Sequence, residues 1–128
     1  MKIPFVDLNA QYLSIKKEID AAITRVISNT SFIGGEEVRE FENEFAEYMG
    51  SQYCVACANG TDSLEMTLQA MGIGSGDEVI VPAITWISTS EAVSSLGAKP
   101  VFVDVEKDYL TIDVLKIEEK ISSKTKAI

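Results

Sequence analysis

Histidine is absent from the 128 residues, and Ser-His-Asp and Cys-His catalysis both need an imidazole as the base. Those nucleophilic mechanisms are excluded within this chain, and acid–base chemistry falls to Lys, Asp, Glu, Tyr or a bound cofactor. Cysteine is scarce: Cys54 and Cys57 form a C-x-x-C, the spacing of a redox pair or of half a zinc site. The two thiols fall in a short apolar run that reads as a buried strand, where residues three apart point to opposite faces. Zinc would need two further ligands, and the sequence has no third cysteine. Basic residues are also few, eleven Lys and Arg against twenty Asp and Glu for a net charge of −9. With only two arginines, Arg25 and Arg39, and scattered lysines there is no basic stripe, so neither nucleic acid nor an anionic membrane surface is an expected partner. No apolar run approaches the ~20 residues of a membrane span, and residues 1–7 lack the apolar stretch of a signal peptide. The chain is expected to be cytoplasmic.

What is present is an ordinary globular composition, 46% hydrophobic and 24% charged, in a length that suits one domain or part of one. Ile15, Ile19, Ala22, Ile23 and Val26 recur at spacings of three and four, which predicts an amphipathic helix across residues 8–27. After the loop chemistry of Asn29 to Gly35, Val38, Phe41, Phe45 and Tyr48 predict a second helix ending at Gly50. Beyond Gly50 the pattern changes. Short apolar runs at 53–58, 78–81, 100–105 and 126–128 predict strands, and stretches of helical periodicity at 61–71, 85–96 and 112–121 alternate with them. The fold class is therefore α/β: a helical lead-in over 1–50, then β/α alternation over 51–128, with a parallel-rich sheet flanked by helices. A strand beginning at Lys126 runs off the end of the sequence, so the chain is expected to be truncated within its domain.

Two motifs carry chemistry. In Cys57-Ala58-Asn59-Gly60-Thr61-Asp62-Ser63-Leu64 an apolar strand turns through Asn-Gly into a helix. Unpaired first-turn N–H groups, the helix dipole and the Thr61 hydroxyl there suit a single phosphate. The alternative is a plain capped turn, with Thr61 or Asp62 as the cap. Neither a P-loop nor a G-x-G-x-x-G is present, which argues against nucleoside triphosphates and dinucleotides. The second motif, Pro82-Ala83-Ile84-Thr85-Trp86-Ile87-Ser88-Thr89, holds the only tryptophan at the carboxyl end of a strand, where open α/β sheets bind ligands. Trp86 is either a stacking surface for an aromatic ligand or a core residue at a helix start.

With F-V-D-L, S-F-I-G-G, G-A-K-P-V-F-V-D-V and K-T-K-A-I in the same order, these motifs make the whole chain resemble the DegT/StrS family of pyridoxal-phosphate (PLP) dependent nucleotide-sugar aminotransferases. The resemblance implies the amino-terminal part of the type I PLP-dependent aminotransferase fold, within the large PLP-binding domain. It implies that Gly60, Thr61 and Asp62 hold the phosphate of pyridoxal 5'-phosphate and that Trp86 stacks on the pyridine ring. Asp7 and residues 32–35 fall in segments that in the family approach the substrate at a dimer interface, without a defined contact, and Asp104 reads as structural. No lysine here matches the family motif for the Schiff-base lysine, nor does any residue match the Asp that pairs the pyridine nitrogen, so no catalytic residue is assigned and the chain alone is expected to be inactive. The intact enzyme is expected to be a homodimer that moves an amino group from an amino acid such as glutamate to a nucleotide-linked keto-sugar. Alternatives are a PLP-dependent sugar dehydratase of the same fold, in which a histidine takes the lysine position, and a non-catalytic α/β module that binds a phosphorylated ligand.

Overall fold

The computed structural model describes residues 4–128, which divide into a unit ending at Ala56 and a second, Cys57–Ile128. In the first unit α1 (Leu8–Ser28) starts at Asp7, whose Oδ1 accepts the Ala10 N–H at 2.9 Å, a side-chain N-cap. The helix α2 (Glu36–Met49) begins after Gly35 and ends at Gly50 in the left-handed region, φ +65°, as a glycine C-cap requires. Gly35 is fixed by space: a Cβ there would stand 3.0 Å from the Ser31 Cβ. The Arg25 Nε to Glu37 Oε1 ion pair, 3.2 Å, ties the end of α1 to the start of α2. Among the described residues of this unit only Ala46 is buried, and Ile15, Ile19, Ile23, Phe41, Phe45 and Tyr48 all reach solvent.

The second unit holds α3 (Gly60–Ala70), β1 (Glu78–Pro82), α4 (Ser88–Ser95), β2 (Lys99–Val103), two 3-10 turns (Val114–Lys116 and Glu118–Lys120) and β3 (Thr125–Ala127). The strands form one sheet in the order β2-β1-β3, and both pairings are parallel. The central strand reads Glu-Val-Ile-Val-Pro and buries its three middle residues, as a strand covered on both faces must. Val79 and Val81 pack with Ile73, Val93 and Ala98, and Leu68 and Ala127 lie partly buried against them. Glu78 fastens the amino end of the sheet. Its N–H donates to the Lys124 carbonyl at 2.8 Å, and its carboxylate takes the Ser122 hydroxyl at 2.6 Å and the Lys99 ammonium at 3.2 Å. At the other end the Ala83 N–H donates to the Val103 carbonyl at 2.8 Å.

Three expectations change. The run at 53–58 has no ladder partner among the described residues, and Tyr53 and Val55 are 76% and 73% exposed. Cys54 is accordingly half-buried and Cys57 exposed, not paired within a sealed strand. The helix expected at 112–121 is replaced by the two 3-10 turns. The Asp113 N–H is spent on the Asp104 carbonyl, 2.9 Å, Ile112 bridges antiparallel to Val105, and Leu110 sits at φ +57°, so the local backbone is committed to a tight excursion before any helical turn closes. The helix expected from 85 begins at Ser88, because residues 83–85 bend the chain out of β1. No described helix is long and apolar enough to cross a membrane.

Candidate cofactor site

The site grows from the first turn of α3. Asn59 is extended, φ −164° and ψ 176°, and its Oδ1 accepts the Asp62 N–H at 3.0 Å. Its carbonyl accepts the Ser63 N–H at 3.1 Å and the Cys57 thiol at 3.3 Å. The cap is thus Asn59, neither Thr61 nor Asp62. Two first-turn amides, Gly60 N–H and Thr61 N–H, have no partner among the described residues. Gly60 has an ordinary φ, and a Cβ built on it would meet nothing within 4 Å. Its missing side chain therefore relieves neither strain nor a protein clash, and what it preserves is open space over two free amides.

That space is a hollow of about 560 Å³. Asn59, Gly60, Thr61, Ser63 and Leu64 form one wall, and Trp86, Ser88 and Thr89, from the turn after β1 and the start of α4, form the other. Trp86 is 78% exposed and presents its indole at the rim. Thr85 and Thr89 hydroxyls bond each other at 3.1 Å and the Thr89 N–H donates to the Trp86 carbonyl at 3.0 Å, so the Trp86 backbone is pinned to the helix that follows it. The hollow sits at the carboxyl end of β1, where an open α/β sheet presents its ligands.

Gly60, Thr61 and Trp86 are thus brought together as the sequence led us to expect. Asp62 is not: its amide is consumed by Asn59, and it does not line the hollow. Ser63, Ser88 and Thr89 were missed, although the hydroxyls following Trp86 in W-I-S-T were the available signal. Among the described residues no charged side chain, and so no lysine, lines the hollow. Electropositive character comes from the amino ends of α3 and α4 and from hydroxyl donors. The groups with shifted pKa values lie elsewhere. The Ser122 hydroxyl and Lys99 hold Glu78 below the usual carboxylate range at the opposite end of the sheet, and Lys116 does the same for Asp104. A smaller apolar cavity of about 260 Å³ lies between α3, β1, α4 and β3, lined by residues such as Leu68, Val81, Val93 and Ala127; it is a loosely filled core next to a three-residue edge strand.

Residues 13–128 match the model of the DegT/DnrJ/EryC1/StrS aminotransferase family. The chain belongs to that family. It is 46% identical over 98% of its length to a UDP-2-acetamido-2-deoxy-3-oxo-D-glucuronate aminotransferase of Pseudomonas aeruginosa, covering 35% of that protein. It is 48% identical over 98% of its length to a dTDP-3-amino-3,6-dideoxy-alpha-D-galactopyranose transaminase of Aneurinibacillus thermoaerophilus, again covering 35%. Among solved structures, NtdA of Bacillus subtilis with bound cofactor PMP superposes with a TM-score of 0.91 at 33% identity, over 98% of this chain and 29% of that one. The chain spans about a third of the length of the curated relatives it matches. In this aminotransferase family the α/β arrangement found here, a parallel sheet flanked by helices, is the fold of the solved relatives.

Proposed function

We propose that this chain is the amino-terminal portion of the large PLP-binding domain of an aminotransferase, and that it supplies the phosphate-holding and ring-facing part of the cofactor site. The observation that carries the reading is the pair of free amides, Gly60 N–H and Thr61 N–H, in one hollow with an exposed Trp86. The residues present fit the group. A phosphate would accept the two amides and the Thr61 hydroxyl, the Ser63 hydroxyl being spent on the Gly60 carbonyl at 2.8 Å; the absent Cβ of Gly60 would leave room for it, and the indole face of Trp86 would receive a planar ring. Offset stacking of that kind contributes about 0.5–1.5 kcal/mol beyond burial. When bound, PLP supplies an electron sink for chemistry at the carbon bearing the amine. The hollow holds no group that moves a proton at that carbon, so this chain binds and orients, and the proton-carrying lysine belongs to sequence outside the hollow.

By the names of the relatives, the substrates proposed for the whole protein are an amino-acid donor such as glutamate and a nucleotide-linked keto-sugar. The working form we propose is a cytoplasmic homodimer with no nucleic-acid or membrane partner. The test uses pyridoxamine 5'-phosphate, which has no aldehyde to react with surface lysines, and the single tryptophan as reporter. Saturable quenching of Trp86 fluorescence by pyridoxamine 5'-phosphate, with much weaker quenching by pyridoxamine, is the expected result. Equal responses to both would overturn the phosphate-holding assignment.

A further inference from the structure

Asn59 does two things at once. Its Oδ1 takes the Asp62 N–H at 3.0 Å, so the cap satisfies the third amide of α3 and leaves the first two, Gly60 and Thr61, free and adjacent. Its side-chain nitrogen has no partner among the described residues, and the residue lines the hollow beside Gly60. Because Oδ1 is the acceptor, the other terminal atom of the side chain is the NH2 group, a neutral donor. Capping alone does not require this choice, since Asp caps a helix as well as Asn and its charge is favoured by the helix dipole. An aspartate would nevertheless set a negative oxygen at the edge of a hollow that already has no cation to offset it.

We infer that Asn59 is the positioning and selectivity residue of the phosphate-holding turn: it aims the Gly60 and Thr61 amides at the anion and keeps the rim neutral and donating. The inference rests on the cofactor reading above and deepens it, by assigning discrimination for a phosphorylated over an unphosphorylated ligand to one side chain. It commits Asn59 to more than helix stability.

The experiment compares wild type and Asn59→Asp, which has the same shape and keeps the cap. Thermal unfolding is followed alongside Trp86 fluorescence titrations with pyridoxamine 5'-phosphate and with pyridoxamine. The expected result is an unchanged or slightly higher midpoint of unfolding, an affinity for pyridoxamine within about twofold of wild type, and an affinity for pyridoxamine 5'-phosphate lower by about tenfold or more through the added like charge. Asn59→Ser, which caps without charge, is expected to restore most of that loss. A variant Asn59→Asp that prefers the phosphorylated ligand as strongly as wild type does would overturn the inference while leaving the cofactor reading intact. Wild-type protein that fails to distinguish the two ligands would overturn both, so the two failures are separable.

Discussion

Gly60 is the residue at which sequence and site agree most directly. A glycine in a turn is ordinarily explained by positive φ or by crowding, and at Gly60 neither applies. Close approach of the proposed cofactor to the backbone would supply a reason. Gly60→Val is therefore expected to leave stability within about 0.5 kcal/mol of wild type, as surface substitutions usually do, while abolishing measurable binding of pyridoxamine 5'-phosphate. Denaturant unfolding and Trp86 fluorescence report the two quantities separately, and undiminished binding would mean that nothing occupies the space above residue 60. Trp86 was legible as an aromatic at a strand's carboxyl end, yet its choice between core and ligand was not, because a lone tryptophan serves either. In the structure it is exposed at the rim of the hollow, which favours the ligand-facing reading proposed above. Asp62 lies outside the hollow with its amide bonded to Asn59, because a motif gives the order of residues and not which amide a neighbour has already claimed.

Among the elements, β1 is the one on which the second unit depends. It carries both sheet neighbours, and Glu78 at its start joins Lys99 of β2 and Ser122 before β3. The hydroxyl and ammonium partners lower the pKa of Glu78 in the folded state. The carboxylate thus contributes stability above its unfolded pKa, and that contribution is lost as pH falls through the lower folded value. Glu78→Gln is expected to be less stable than wild type near neutral pH and to approach it as the solution is acidified below pH ~4. Urea midpoints measured from pH 7 downward check this, and a constant difference across the range would mean the carboxylate charge contributes nothing. The strands at 78–82 and 99–103 were readable because short apolar runs between helical stretches signal a covered parallel sheet. The run at 53–58 has the same composition and no ladder among the described residues, since pairing is a property of two segments and the sequence of one does not report it. The failed helix at 112–121 has the opposite cause. Periodicity was present, but Asp113 and Ile112 had prior backbone partners in Asp104 and Val105, and three-residue turns are what remained.

For the whole molecule the notable property is how much apolar surface the helices keep uncovered. Ile15, Ile19, Ile23, Phe41 and Phe45 in the first unit, and Phe102 on the outer strand of the second, are all exposed. Exposed apolar residues in such number are a feature of interaction faces. The 128-residue chain is accordingly expected to bind the dye ANS strongly and to show a sedimentation coefficient that rises with concentration. A dye-silent species with a constant coefficient would show that the chain covers these faces itself. Its net charge of −9 opposes such association at low salt and is screened at higher ionic strength.

The same charge meets the cation-free hollow in a way that separates arrival from retention. An anionic ligand approaches against a long-range negative field that salt weakens. Once seated, it is held by amides and hydroxyls at close range, with no lysine or arginine at the contact for salt to mask. Rising ionic strength thus speeds capture and leaves the grip nearly unchanged, whereas a lysine-lined cradle would lose ligand as salt rises. An anionic ligand of the proposed kind is therefore expected to load most slowly in dilute buffer.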